Sequence, residues 1–258
     1  MMKRAISFLL ACLITSAACA ETITVAVAIS LKDALSKLAA QYQAATGERV
    51  EFTFGSSGQL ATQIANGAPI DLFISAASKQ VDDLAKAGVI DDKTRRVIAG
   101  NALVLIVPPD SKSPSESVKA LVRGEVTRIA VGEPRSVPAG QYAVQALKAA
   151  GVADAVKEKL VLGTNVRQVL DYVQRGEVSA GLVYATDARI AGEKVRVVCT
   201  IEEKDHEPII YPAALVKASK RQAAATRFLD FLVSEKGQAG LKEFGFTPPP
   251  VQSNQQAK

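Results

Sequence analysis

One arrangement recurs along this chain and restricts its fold more than any other feature. An apolar, β-branched run ends on small residues, and a helical run begins at once. "TITVAVAI" (22–29) is such a run, and Ser30 stands before "LKDALSKLAAQYQAATG", whose apolar spacing is helical up to Gly47. Ser30 and Asp33 have the spacing of a capping-box variant. "RVEFTF" (49–54) passes through Gly55-Ser56-Ser57-Gly58 into the short helical run "QLATQIANG". "IDLFISA" (70–76) leads into "KQVDDLAKAG". Strand, helix, strand, helix at this spacing builds βαβ units and a parallel sheet.

The series then starts again. "NALVLIVPP" (101–109) is a long apolar strand closed by prolines. "TRIAVGEP", "KLVLG", "SAGLVYA" and "VRVVCTI" follow as strands, with "PAGQYAVQALKAAG", "NVRQVLDYVQRG" and "TDARIAG" as the helical runs among them. "PIIYPAALVK" (208–217) is a further strand, and "KRQAAATRFLDFLVSEKGQAGLKEFGF" carries one or two amphipathic helices. The chain has no internal sequence repeat. Its 258 residues suffice for two medium α/β lobes with mainly parallel sheets. The expected division places 21–103 and 211–258 in lobe 1 and 104–210 in lobe 2. Two crossings, near 101–107 and 208–216, then imply an interlobe cleft and a hinge.

The first twenty residues stand apart. Met1-Met2-Lys3-Arg4 is a short basic start, and Ala5 to Ala18 is apolar but short for a bilayer span. Ala18-Cys19-Ala20 has the small-residue pattern of a cleavage site. Residues 1–20 are therefore expected to be a signal peptide, and the mature protein periplasmic. Cys19 also allows a lipid anchor, but Ser16 stands where a large aliphatic residue would be expected. Cleavage lowers the formal charge of +5 by the two contributed by Lys3 and Arg4. It leaves Cys199 alone, which excludes an intramolecular disulfide and reads as a small buried strand residue. The remaining positive charge is spread along the chain without a basic block, so nucleic acid is not an expected partner.

The strand ends carry the chemistry. Ser30 and Ser56-Ser57 follow strands and open helical runs. In "SVPAGQYA", Pro138 falls near the first helical position and leaves the amides of Ala139 and Gly140 free. In "TNVRQVL", Asn165 is a natural N-cap with the Val166 amide just inside. Tyr184 ends the strand "GLVYA" and offers a neutral hydroxyl. The first four N–H groups of a helix have no intrahelical acceptor, and the helix dipole makes that end positive. Several such ends meeting at one point would form an anion site without full charges. Each residue also has a plain role as a cap, turn or core side chain. Arg167, beside Val166, reads as pointing outward, with attraction of the anion as a lesser alternative role.

Catalytic motifs do not compete well. Gly55-Ser56-Ser57-Gly58 lacks the G-x-S-x-G spacing of a nucleophile elbow. The single histidine, His206, lies in the charged stretch "EEKDHEP". There is no H-E-x-x-H, C-x-x-C or phosphate-loop pattern. An amino-acid ligand would call for a facing Arg and Asp, and the donor stretches hold no such pair. Sulfate, phosphate and small organic acids remain alternative ligands.

Taken in order, "ITVAVAISLKDAL", "FTFGSSGQLATQI", "GAPIDLFISA", "IAVGEPRSVPAGQYA", "NVRQVLDYVQRGE", "GLVYATDA" and "EFGFTPP" span nearly the whole mature chain. This set resembles the molybdate-binding proteins of bacterial ABC importers, within the type II periplasmic binding proteins. The resemblance implies capture of molybdate, or tungstate, between two lobes and delivery to a membrane permease. It implies a monomer with no cofactor, and no catalysis. Motif by motif, it places the oxyanion contacts on the hydroxyls of Ser30, Ser57 and Tyr184 and the amides of Ser30, Ala139 and Val166. The metal would be reached only through its oxygens. Two departures from the family pattern stand out: Ile29 before the first serine, and Gly58 in the serine loop.

Overall fold

The structure, a computed structural model, describes residues 21–112 and 117–249. Residues 1–20, expected to be a signal peptide, and Cys19 among them, lie outside the described residues. The chain forms ten strands and nine helices among the described residues. The first set is β1 (Thr22–Ala28), α1 (Lys32–Thr46), β2 (Arg49–Gly55), α2 (Ser57–Ala65), β3 (Leu72–Ile74), α3 (Ser78–Lys86) and β4 (Ile90–Gly100). The second is β5 (Leu103–Val107), β6 (Ile129–Gly132), α4 (Pro138–Ala149), α5 (Ala153–Val156), β7 (Leu160–Gly163), α6 (Val166–Gln174), β8 (Ala180–Tyr184), α7 (Ala185–Ala191) and β9 (Arg196–Thr200). The chain then returns as β10 (Ile210–Val216), α8 (Gln222–Val233) and α9 (Glu235–Glu243).

These strands build two five-stranded sheets, ordered β2-β1-β3-β10-β4 and β7-β6-β8-β5-β9. In the first, β1 pairs parallel with β2 and β3, while β10 is antiparallel to both β3 and β4. In the second, β6 pairs parallel with β7 and β8, while β5 is antiparallel to both β8 and β9. Each sheet thus has one reversed strand, and that strand is the one by which the chain enters from the other sheet. The α/β class, the mainly parallel sheets and the two crossings agree with the sequence expectation. The two halves repeat each other in topology although no repeat is visible in the residues.

Burial explains the apolar runs. Every residue of β3, β5 and β8 is buried, as expected for strands covered on both faces. β4 is the strand that hydrophobic pattern does not reveal. Its first eight residues, Ile90 to Val97, include five charged ones and lie at a sheet edge, where side chains reach water. Its last three residues, Ile98, Ala99 and Gly100, are buried as the chain leaves the sheet.

The topology decides where a ligand can sit. In open α/β sheets ligands bind beyond the carboxyl ends of the strands. Here β1, β2 and β3 of one sheet, and β6, β7 and β8 of the other, end at a common cleft. One close approach sharpens this geometry. A Cβ on Gly140 would sit 2.0 Å from the Gly132 carbonyl oxygen. Glycine at 140 therefore lets the first turn of α4 lie directly against the end of β6.

Candidate ligand-binding site

The five residues singled out in the sequence, Ser30, Ser57, Ala139, Val166 and Tyr184, line one small cavity between the two sheets. Ser56, Ala76, Ile29 and Val137 complete much of its wall. Among the described residues, no charged side chain lines it.

Ser30 follows β1 in a short 3-10 turn, Ile29–Leu31, and is buried. It does not cap α1, whose N-terminus has no side-chain cap. The expected Ser30–Asp33 capping pair is absent because both residues have tertiary partners instead. The Ser30 hydroxyl lies 3.1 Å from the Tyr211 hydroxyl, and Asp33 accepts from Arg167 at 2.7 Å.

The two adjacent serines divide the work. Ser56 is the N-cap of α2 and accepts from the Gln59 N–H at 3.4 Å. Ser57 is fully buried in the first turn, and its Oγ accepts from the Ala76 N–H at 3.0 Å. An accepting hydroxyl keeps its own proton to give, so each serine has a proton for the cavity; Ser57 is the more firmly held, by the shorter bond.

The second sheet supplies amides. Pro138 opens α4 at its first position, and the N-terminus has no side-chain cap, which leaves the buried Ala139 amide free, whereas the Gly140 N–H, also expected to be free, donates to the Val137 carbonyl at 2.9 Å. Asn165 caps α6 by accepting from the Gln168 N–H at 3.1 Å, while Val166 is the first helical residue. Tyr184 ends β8, is 1% exposed, and its hydroxyl has no hydrogen-bond partner. Burial raises its pKa well above the usual tyrosine value, so it stays a neutral donor. A buried hydroxyl without a partner costs about 1–3 kcal/mol and calls for an explanation.

Sequence reading missed how the two sides are tied together. Arg167 points inward, not outward. Its Nη2 donates to Asp33 Oδ2 across the cleft at 2.7 Å. Its Nε lies 2.6 Å from Asp187 Oδ1, a close charge contact in which the N–H is not aimed along the line of a hydrogen bond. Asp187 is fully buried; burial raises its pKa to about 6, against the opposing pull of Arg167. One of the two carboxylates that hold this guanidinium, Asp33, is 134 residues away in sequence, and nothing local marks that. The backbone also meets across the cleft, where the Gly58 N–H donates to the Ser136 carbonyl at 2.9 Å. These contacts describe a closed cleft.

Neither Ser56 nor Ser57 has a base beside it: their recorded partners are backbone amides, and no His, Lys, Asp or Glu lines the cavity. His206 is half-buried, packed on the Tyr142 ring at 5.7 Å. Cys199 is half-buried in β9, and burial raises its thiol pKa. Among the described residues no cluster of His, Cys, Asp and Glu is suited to hold a metal ion.

The chain matches the family described as bacterial extracellular solute-binding protein over residues 23–247. It is 36% identical to the molybdate-binding protein ModA of Haemophilus influenzae, covering 95% of this chain and 97% of that protein. It is 39% identical to a putative ABC transporter substrate-binding lipoprotein, YvgL, of Bacillus subtilis, covering 88% of this chain and 86% of the relative. The solved periplasmic molybdate-binding protein of Azotobacter vinelandii superposes with a TM-score of 0.80 at 26% identity, covering 88% of this chain and all of that one (100%).

Proposed function

This chain belongs to the bacterial extracellular solute-binding proteins, and from that premise we propose that it captures molybdate, and tungstate with it, for an ABC importer. The relatives named for molybdate support the ligand class. The partnerless Tyr184 hydroxyl, buried among free first-turn amides, is the observation that carries it. An oxyanion leaving water needs a donor for each oxygen. Ser30, Ser57 and Tyr184 offer hydroxyls, and Ser30, Ala139 and Val166 offer amides. These donors have fixed directions and no net charge, so an anion of the wrong radius cannot reach all of them together. Charged side chains would hold many anions alike. Molybdate and tungstate, nearly equal in size and charge, would be held alike.

In this reading the oxyanion is cargo, touched through its oxygens, and the protein needs no cofactor and catalyses nothing. Residues 21–103 with 211–258 form one moving unit and 104–210 the other. They close about the two crossings and dock, as a monomer, on a membrane permease. Residues 1–20 direct export, and the protein works in the periplasm. No helix among the described residues is long and apolar enough to cross a membrane.

Calorimetric titration of the anion-free mature chain tests this. One-to-one binding of molybdate and tungstate, with little heat from sulfate or phosphate, is expected. Preference for sulfate or phosphate would assign the donor ring to another importer. No heat from any of them would favour a small organic acid.

Closure itself has a separate test. A Cβ on Gly58 would lie 2.6 Å from the Ser136 carbonyl oxygen and 2.7 Å from its Cα. Gly58→Ala is therefore expected to strain the closed state alone. Overpacking costs about 1–3 kcal/mol, or roughly 5- to 150-fold in molybdate affinity. Thermal stability without ligand should hold, and small-angle scattering should show less contraction on adding molybdate. Wild-type affinity in this variant would mean that the ligand-bound cleft closes differently.

A further inference from the structure

We propose that Asn101 and Tyr211 are positioning residues that turn the Ser30 hydroxyl so that its proton, not its lone pair, faces the cavity. The inference rests on the reading of Ser30 as an oxyanion donor and adds what makes it one. A serine hydroxyl rotates and can serve either way, and one that presents a lone pair to an anion repels it.

The hydrogen-bond chain has a direction. The Ala102 N–H donates to Asn101 Oδ1 at 2.9 Å, which fixes the orientation of the side-chain amide. The Asn101 NH2 group then has two protons to give. It donates to Thr186 Oγ1 at 2.9 Å and to the Tyr211 hydroxyl at 3.0 Å. Having accepted there, Tyr211 gives its single proton to its other partner, Ser30 Oγ, at 3.1 Å. Ser30 accepts, and its own proton is left for the cavity that Ser30 lines. Tyr211 and Thr186 are fully buried, so water does not compete for these links. Burial also pushes the Tyr211 pKa far above the ordinary tyrosine value, which keeps that proton in place.

The chain of bonds is mounted on the two crossings. Asn101 lies between β4 and β5, and Tyr211 lies in β10, the returning strand. Thr186 belongs to α7, beside the second sheet, and Ser30 to the first. The direction of a ligand-facing hydroxyl thus depends on the segments about which the cleft would open.

A double-mutant cycle on the full mature chain, titrated with molybdate, tests the proposal. Tyr211→Phe keeps the ring and removes the donor. It is expected to weaken binding about 3- to 10-fold in the wild-type background, the worth of one directed hydrogen bond. In a Ser30→Ala background the same change is expected to cost less than about twofold, because nothing is left to orient. A merely structural role would cost the same in both backgrounds, and that result would overturn the proposal. So would an unchanged affinity for Tyr211→Phe where Ser30→Ala weakens binding. If Ser30→Ala alone binds as tightly as wild type, the donor assignment itself fails, and the positioning role with it. Should Tyr211→Phe not fold, the same cycle with Asn101→Ala applies, with a loss confined to the chain that retains Ser30.

Discussion

Methionine at Arg167 is expected to destabilise the ligand-free protein by about 3 kcal/mol, the loss found when one partner of a buried charge pair is removed. Adding Asp187→Asn is expected to restore most of it. Asp187 has no exposure, and Arg167 is the charge that most offsets its burial. Without the guanidinium, the carboxylate must stay charged without a partner or take up a proton. The pH dependence carries the sign. Asp187 titrates at about 6 in the folded protein and near 4 when unfolded. The folded state holds the proton more tightly, so this group's contribution to stability is full below about pH 4 and is lost as pH rises through about 6. In Arg167→Met the folded value moves higher still. Its deficit against wild type should therefore be smaller at pH 5 than at pH 8, and Asp187→Asn should flatten that trend. Denaturant midpoints at the two pH values decide it; a deficit that ignores pH, or that Asp187→Asn leaves in place, would refute this account. Ligand affinity should behave differently. The Arg167–Asp33 bond across the cleft stays broken in the double variant, and Asp33 is partly exposed. A modest loss of molybdate affinity, at most about fivefold, should therefore persist after stability is restored.

This split between what local sequence announces and what only packing supplies runs through the molecule. The crossing strands are readable because "LVLIV" and "YPAALV" are apolar throughout, as strands covered on both faces must be. The helix starts are readable because their signals are local: Pro138 at a first position, Asn165 and Ser56 as caps. Those same starts supply the amides and one hydroxyl at the cavity, so most of the candidate site follows from short-range rules. Ser30 shows the limit. Its spacing to Asp33 suits a cap, but its partner is Tyr211, 181 residues away. Arg167 looks like a surface residue of an amphipathic helix, yet Asp33 is 134 residues away in sequence and close in space. β4 hides for the opposite reason, since an edge strand may carry charges that a hydrophobic pattern does not count. Gly58 reads as a missing hydroxyl in the serine loop, whereas the fold places it where any Cβ would meet the opposite side of the cleft.

Phenylalanine at Tyr184 is expected to weaken molybdate binding by about 10- to 100-fold, the range for a hydrogen bond to a charged group. The ligand-free protein should be no less stable than wild type. The two signs come from one observation: the hydroxyl is buried and has no partner in the protein. Removing it deletes no internal hydrogen bond, and the ring keeps its packing against Tyr142 and Tyr211, at 6.5 and 6.1 Å between centroids. A buried donor left unsatisfied disfavours the closed, empty cleft, so losing it can only help that state. With an oxyanion present the balance reverses, because one of its oxygens loses a buried donor that it gained in exchange for water. The affinity loss should be the same at pH 6 and pH 9, because burial keeps this hydroxyl protonated well above the usual tyrosine range. Titrations at both pH values, beside thermal melts without ligand, measure all three quantities. Stability that rises while affinity stays at the wild-type level would make the Tyr184 hydroxyl a packing defect and remove it from the donor ring. A drop in both would mean that the hydroxyl holds the fold together, contrary to its lack of any partner. Only weaker binding on an intact fold fits a residue whose hydrogen-bond partner arrives from solution.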